Sequence, residues 1–171
     1  MLRKFLPNEH VKSIFNIDPV SLRQKGIKGI ITDLDNTLVA WDVKNATPDI
    51  IQWFKEMKEQ EIKVTIISNN KQERVKLFSE PLDTPFVYSA RKPLSHAFKS
   101  AAREMKLKKE DIVVIGDQLL TDVLGGNFAG FYTILVVPIV DTDEKLTQFN
   151  RKIERRILSY MRKKGKISWE E

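Results

Sequence analysis

The chain has 171 residues, of which 42% are hydrophobic and 30% charged, and its formal net charge is +6. That balance is typical of one soluble globular domain with a sizeable core. The chain has no cysteine, which excludes disulfides, thiolate zinc sites and cysteine nucleophiles. Its first residues lack the apolar run of a signal peptide, and no stretch reaches the length of a transmembrane helix. We therefore expect a cytoplasmic protein that meets a membrane only as a peripheral protein on its inner face.

Apolar, β-branched runs recur along the chain, and helical patterns lie between them. The predicted strands are Ile27–Asp33, Ile62–Ser68, Phe86–Ser89, Asp111–Asp117 and Phe131–Val137. The predicted helices are Pro48–Gln60, Lys71–Ser79, Leu94–Met105 and Thr121–Ala129. Strands that are apolar throughout are buried on both faces, as in a parallel sheet. The alternation predicts the α/β class, with a Rossmann-like, three-layer open parallel sheet.

Three parts of the chain follow from this pattern. Residues 1–26 form a basic and apolar N-terminal segment that packs on or beside the core, and residues 27–144 form the core itself. Residues 145–171 form a basic amphipathic helix and tail. Residues 1–28 and 151–166 are both rich in Lys and Arg, so the remainder is net acidic. Basic ends on an acidic body indicate an anionic partner.

Polar side chains stand where three of the predicted strands end. Asp33 and Asp35 follow the first strand, Ser68 and Asn69 end the second, and Asp117 ends the fourth. The carboxyl ends of parallel strands meet at one edge of a sheet, where ligands bind. Because carboxylates brought together repel, and Mg²⁺ prefers oxygen ligands, the pattern predicts a magnesium site.

A phosphoryl-transfer chemistry fits these residues. Asp33 is the candidate nucleophile and would form an aspartyl-phosphate, while Asp35 is the candidate general acid and base. Lys92 adds positive charge near the phosphoryl oxygens, to which Ser68 and Asn69 can donate hydrogen bonds. Gly116 would let its strand end lie close to the metal. The alternative is that these residues are turn formers and helix caps, since Asp, Asn and Ser serve as both.

The same residues resemble the four motifs of the haloacid dehalogenase (HAD) superfamily. Asp33-Leu34-Asp35-Asn36-Thr37 resembles the first motif, Ser68 the second, Lys92 the third, and Gly116-Asp117 with Asp122 the fourth. The resemblance implies that Mg²⁺ binds the side chains of Asp33 and Asp117 and the backbone carbonyl of Asp35. It also implies that Asp122 orients the metal's waters and that Thr37, placed with Ser68 and Asn69 among the phosphate-binding residues, helps to position Asp35. Asp35 itself is typical of the phosphatases of this superfamily.

The intervals on either side of Ser68 are short. Each has room for one helix and no inserted cap module, so we predict a capless HAD core with an open site. Trp41, in the first interval, either contacts substrate or anchors its loop. Leu6-Pro7, Ile17-Asp18-Pro19 and residues 26–29 resemble the YqeG-like branch of subfamily III. That branch has eukaryotic relatives that dephosphorylate phosphatidylglycerophosphate, which implies a phospholipid phosphate as substrate.

The C-terminal helix carries an apolar stripe. Its members are Leu146, Phe149, Ile153, Ile157 and Tyr160. In one interpretation, the stripe docks on the sheet. In the other, residues 145–166 and residues 1–6 lie on an anionic membrane surface. Nucleic acid is a further candidate partner, because its phosphates also attract Lys and Arg. Three functions stay open: a lipid-phosphate monoesterase, a phosphatase of a soluble or nucleic-acid phosphate monoester, and an RNA- or ribosome-associated binding protein.

Overall fold

A computed structural model of the chain describes residues 2–142 and 145–169. Its centre is a parallel sheet in the order β1-β6-β5-β2-β3-β4. The strands are β1 (Glu9–Val11), β2 (Gly29–Thr32), β3 (Lys63–Ile67), β4 (Phe86–Val87), β5 (Ile112–Gly116) and β6 (Tyr132–Val136). The five predicted strands and the open parallel sheet are confirmed. Strand β1, which pairs with β6, was not predicted.

Six α-helices surround the sheet in the part of the chain that the structure describes. They are α1 (Pro19–Gln24), α2 (Pro48–Glu59), α3 (Gln72–Ser79), α4 (His96–Met105), α5 (Leu124–Ala129) and α6 (Lys145–Lys163). A π-helical stretch, Leu119–Val123, leads directly into α5. The predicted helix from Thr121 to Ala129 therefore consists of a π-helical part followed by an α-helical part. Helix α1 was not predicted.

Alternate residues of the central strands supply two separate cores. Ile30 and Ile66 pack on one face of the sheet with α2 and α3, whereas Ile31 and Ile67 pack on the other with α4. Side chains on a strand alternate between faces, so a strand buried on both must be apolar throughout. This explains the continuous apolar runs and confirms the three-layer arrangement.

The connections around β3 contain one α-helix each. Helix α2 lies between β2 and β3, and it begins after Thr47, whose side chain accepts a hydrogen bond from the backbone of Ile50. Helix α3 lies between β3 and β4. Neither connection contains an inserted cap module, which agrees with the capless core predicted from the sequence. The carboxyl ends of β2 and β5 are therefore not covered by an inserted domain.

Helix α6 docks on the protein through a face that the apolar stripe predicted only in part. Glu154, Leu158 and Met161 are buried, and the last two pack against Leu119 of the π-helical stretch and Leu135 of β6. Within the predicted stripe, Phe149 is 64% exposed and Tyr160 is 47% exposed. Ile153 and Ile157 are half-buried, and the side chain of Leu146 lies outside the described residues. Ile157 packs beside Leu158 and Met161, whereas Phe149 and Tyr160 face away, so the docking face of the helix coincides with the stripe only in part.

The described helices differ from membrane spans in length and composition: none is both long enough and apolar enough to cross a bilayer.

Candidate active site

Three buried carboxylates meet at the carboxyl ends of β2 and β5. Asp33 follows β2, Asp117 follows β5, and Asp122 lies in the π-helical stretch. Their exposed fractions are 6%, 3% and 2%, and one ligand oxygen from each lies within 4.8 Å of the others. The Asp33 backbone N–H donates to the Ile115 carbonyl at 2.9 Å, which joins the two strand ends. Three like charges buried this closely require nearby cations.

Lys92 supplies one of those cations. Its Nζ lies 2.6 Å from Asp33 Oδ1 and 2.7 Å from Asp122 Oδ1, and its side chain is 3% exposed. Burial lowers the pKa of Lys92, but the charges of Asp122 and Asp33 outweigh burial and hold that pKa above its ordinary value. The lysine is therefore a fixed ammonium beside Asp33.

The Asp122 carboxylate occupies the space that a side chain at position 116 would need. A Cβ at position 116 would lie 2.2 Å from Asp122 Cγ and 2.3 Å from its Oδ2. The sequence predicted that Gly116 admits a metal to the strand end. In the structure the missing side chain admits the Asp122 carboxylate, which also accepts a hydrogen bond from the Gln118 backbone at 3.1 Å.

The three predicted phosphate-binding residues differ in whether they line the cleft and in what they contact. Ser68 lines the cleft, and its Oγ accepts a hydrogen bond from the Asn70 backbone at 3.0 Å. The Asn69 amide bonds reciprocally to the backbone of Lys92, at 2.7 and 3.2 Å, so it holds the lysine in place. Thr37 is buried behind the cleft and donates to Asp117 Oδ1 at 3.0 Å. Thr37 thus contacts Asp117, whereas the resemblance implied that it positions Asp35.

Asp35 is held by two residues that the sequence analysis did not identify. Arg74, on α3, donates from Nε and Nη2 to Asp35 Oδ1 at 3.1 and 2.9 Å. Asn70 donates to the other carboxylate oxygen at 3.2 Å. Burial and the neighbouring Asp33 raise the pKa of Asp35, and Arg74 partly opposes them. A raised pKa with a fixed orientation suits a carboxyl group that both gives and takes a proton.

Arg151 of α6 contacts Asp117, and the sequence pattern did not predict this contact either. Its guanidinium donates to the carboxylate of Asp117, and to the carbonyl of that residue at 2.8 Å. It also donates to Glu154 Oε2 at 3.2 Å, and Glu154 accepts from the Leu120 backbone at 2.9 Å. The buried face of α6 is therefore partly ionic, and it contacts a candidate metal ligand.

A cleft of about 270 Å³ opens above these residues. Its lining includes Asp33, Asp35, Trp41, Ser68, Asn69, Lys71, Lys92 and Thr121, together with Thr147 and Asn150 of α6. Larger clefts occur elsewhere on the surface, but they lack the buried carboxylates. The first turns of α6 thus form one wall of a site that the sequence analysis predicted to be open.

Two hydrogen bonds join Thr142, which precedes α6 in the chain, to the loop after β2. Asn36 has a left-handed backbone, with φ of 63°, and its side chain donates to the Thr142 carbonyl at 3.1 Å. Trp41 donates from its indole N–H to Thr142 Oγ1 at 3.2 Å. Trp41 anchors its loop through this bond and also lines the cleft, and its contact with substrate stays a prediction.

The acid cluster predicts an unusual dependence of stability on pH. Burial raises the pKa of Asp122 to about 6 and raises that of Asp117 well above 3.8. A folded-state pKa above the unfolded value stabilises the fold below the unfolded pKa, and this stabilisation is lost as the pH rises through the folded value. Without Mg²⁺, we expect the free energy of unfolding to fall by on the order of 1 kcal/mol from pH 4 to 6.5.

Urea unfolding in EDTA across that pH range measures this effect. Asp122→Asn should flatten the profile, and saturating Mg²⁺ should reverse it because metal ligands must be deprotonated. His10 acts in the opposite direction, since burial lowers its pKa. A metal-free stability that rises throughout the range would contradict the expectation.

The donor set fits a hard divalent cation. It consists of carboxylate oxygens, which Mg²⁺ prefers, at Asp33, Asp117 and the nearby Asp122. The Thr121 hydroxyl, at the cleft, is buried without a hydrogen-bond partner among the described residues. An orphaned hydroxyl beside clustered carboxylates is suited to a metal-bound water or a phosphoryl oxygen.

Comparisons with known proteins identify the family that this chain resembles. Residues 89–159 match the model of the HAD-hydrolase-like family. The chain is 65% identical over its full length, and over the full length of the relative, to "Probable phosphatase YqeG" of Bacillus subtilis. It is 26% identical to "Phosphatidylglycerophosphate phosphatase 1, chloroplastic/mitochondrial" of Arabidopsis thaliana, over 94% of the chain and 49% of that protein.

A solved structure shows the same fold. The cobalt-bound deoxy-D-mannose-octulosonate 8-phosphate phosphatase of Haemophilus influenzae superposes with a TM-score of 0.57 at 18% identity, covering 80% of this chain and 90% of that one. The similarity to the Bacillus protein spans the whole of this chain, and at 65% identity it shows the family. The chain therefore belongs to the haloacid dehalogenase family of phosphatases, in the branch that contains YqeG.

Proposed function

We propose that this phosphatase is a Mg²⁺-dependent phosphomonoester hydrolase that works through an aspartyl-phosphate on Asp33. The observation that carries the proposal is the Asp33 carboxylate at the floor of the cleft, fixed by Lys92 at 2.6 Å. Asp35 lines the same cleft and is oriented independently by Arg74. A nucleophile and a separately held acid are the two groups that this reaction needs.

The reaction takes place in two steps. An Asp33 oxygen attacks phosphorus, and the bond to the leaving alkoxide breaks as Asp35 gives that oxygen a proton. Asp35 then removes a proton from water, which attacks the aspartyl-phosphate, so that inorganic phosphate leaves and the Asp33 carboxylate is restored. Lys92 and Ser68 are placed to stabilise charge on the phosphoryl oxygens.

The carboxylates of Asp33 and Asp117 would hold Mg²⁺, with the Asp35 carbonyl as a further ligand, and Asp122 would accept hydrogen bonds from its waters. When bound, Mg²⁺ neutralises phosphoryl charge and lowers the repulsion between the phosphate and the acids. Within the described residues, five carboxylates (Asp33, Asp35, Asp117, Asp122 and Glu154) contact only three cations (Lys92, Arg74 and Arg151). A divalent ion would add positive charge where these acids outnumber their cationic partners.

Arg74 is expected to act through Asp35. Arg74→Met should lower kcat/KM for an alkyl phosphate by about 30-fold, because a displaced acid cannot protonate a poor leaving group. The loss should be smaller for an aryl phosphate, whose leaving group needs little protonation. Initial rates with both substrates measure the difference, and Arg74→Lys should recover part of it. Arg103→Met, an exposed change on α4, is the control. Equal losses for both substrates would rule out a role through the acid.

A phospholipid phosphate is the substrate that the surface supports best. Phe149 and Tyr160 are exposed on the outer face of α6, and they stand among the exposed cations Lys152, Arg156 and Lys163. Apolar rings among cations are suited to an anionic lipid surface. Because the inner wall of α6 lines the cleft, a helix lying on a membrane would bring the site to the lipid head groups. The Arabidopsis relative is named for such a lipid substrate.

Phosphate release from phosphatidylglycerophosphate in anionic vesicles tests the proposal. Wild-type protein should release phosphate only with Mg²⁺, and Asp33→Asn should release none. Sugar phosphates, nucleotides and phosphorylated oligonucleotides form the comparison set, and faster turnover of any of them would favour a soluble or nucleic-acid substrate. Salt-sensitive cosedimentation with RNA but not with vesicles, without turnover of any ester, would favour an RNA- or ribosome-binding protein.

A further inference from the structure

The cations near the cleft differ in whether a carboxylate neutralises them. Lys92 contacts Asp33 and Asp122. Arg74, which does not line the cleft, contacts Asp35. Arg151 likewise contacts Asp117. Lys71, by contrast, lines the cleft with no carboxylate within 4.0 Å of its ammonium among the described residues. Lys71 is thus the lining cation whose charge remains available to a ligand.

Lys71 and Lys92 lie at different depths. The Lys92 side chain is 3% exposed and contacts the nucleophile, so it serves the phosphoryl group that is transferred. Lys71 is exposed and stands at the start of α3, where its backbone N–H is held by Asn70 Oδ1 at 2.8 Å. Lys71 therefore lies on the solvent-exposed side of the cleft, which we call its mouth and through which a leaving alcohol would extend.

The mouth of the cleft also has polar groups contributed by α6. Thr147 and Asn150 line it together with Lys71 and Trp41. Hydroxyl and amide groups suit a hydroxylated or ionic leaving group better than an apolar one. Trp41 and Asn36 bond to Thr142, which precedes α6 in the chain.

We propose that Lys71, with Thr147 and Asn150, forms a leaving-group subsite that selects phosphomonoesters whose alcohol carries a second anionic phosphate. The proposal rests on the phosphatase function proposed above and names the substrate class of the same site. Because Lys92 already contacts Asp33 and Asp122 whereas Lys71 has no carboxylate partner among the described residues, the Lys71 charge is left for a group beyond the transferred phosphoryl. Such a group is found in a phosphodiester-linked head group and in a soluble bisphosphate.

A matched pair of substrates tests the subsite. Both are 3-phosphoglycerols, and the 1-position carries a methyl phosphodiester in one and a methyl ether in the other. Wild-type kcat/KM should be about tenfold higher for the charged compound, a difference typical of one charge-assisted contact. Lys71→Gln should remove that preference and leave the ether within about twofold. Lys71→Arg should retain it, and Lys76→Gln, elsewhere on α3, should have no effect.

The outcomes separate the subsite from the phosphatase itself. Equal losses with both substrates would place Lys71 on the transferred phosphoryl and overturn the proposal, as would no loss with either. If the wild type hydrolyses neither compound nor phenyl phosphate, the proposed function fails before the subsite is tested. A third arm presents the charged head group on diacyl chains in vesicles. A Lys71-dependent preference in the vesicles alone would identify a lipid head group as the source of the second phosphate. A preference in the soluble pair alone would identify a soluble bisphosphate, and a preference in both would show that the subsite accepts either.

Discussion

Asp33→Asn should lower kcat by about 10⁴-fold or more, because an amide cannot form the aspartyl-phosphate. The variant is nearly isosteric and keeps an oxygen for Lys92, which lies 2.6 Å from Asp33 in the wild type. The fold should therefore survive. Phosphate release from phenyl phosphate with Mg²⁺ gives the rate. Acid quenching with a radiolabelled substrate shows whether labelled protein forms, which we expect for the wild type only.

Asp111→Asn is the matched control for this change. Asp111 lies at the opposite end of β5 and pairs with Lys28 at 3.7 Å, so it contributes a carboxylate to the same sheet away from the cleft. Its activity should equal that of the wild type. A labelled phosphoenzyme in Asp33→Asn, or a rate within about tenfold of the wild type, would exclude Asp33 as the nucleophile.

Arg151→Ala should cost about 3 kcal/mol of unfolding free energy in EDTA, because it leaves a buried carboxylate without its cation. The Asp117 side chain is fully buried and Arg151 is 14% exposed, so solvent cannot replace the lost contact. Glu154, also buried, loses a donor in the same change. Saturating Mg²⁺ should remove part of the deficit, since it supplies positive charge at Asp117. Urea unfolding with and without Mg²⁺ measures both quantities.

Arg156→Ala is the control for the helix itself. Arg156 is exposed on the same helix, so its loss should change the free energy of unfolding by less than about 0.5 kcal/mol. The same deficit for Arg151→Ala in EDTA and in Mg²⁺ would show that this arginine acts by packing alone. A protein that Arg151→Ala does not destabilise would show that α6 is not held through Asp117.

The sequence predicted the parts of this site that depend on local pattern. Asp33 and Asp117 could be located because each follows a strand whose apolar run is continuous, and parallel strands bring such ends together. Ser68 could be located in the same way, because it ends a continuous apolar strand. The open parallel sheet was predicted as well, whereas the order of its strands was not. The family resemblance added roles to these positions.

The contacts that were missed join residues far apart in the chain. Arg151 meets Asp117 across 34 residues and Arg74 meets Asp35 across 39, and periodicity carries no signal of such pairs. In α6 the pattern misled, because the exposed Phe149 and Tyr160 complete an apolar stripe while the docking face includes Glu154. Burial of that glutamate depends on Arg151 and on the Leu120 backbone. Apolar periodicity cannot predict an ionic docking face.

Strand β1 gives the sheet an order of assembly. It pairs in parallel with β6 (Glu9 opposite Ile134), and Asn8 bonds Thr133 across 125 residues of chain. Closing so long a loop costs entropy that only three paired residues repay, so this edge should form late during folding. The central strands β2 and β5 can pair first and carry the acids with them. Under native conditions, amide hydrogens of β1 should exchange before those of β2, so the edge of the sheet can open while the catalytic centre stays folded.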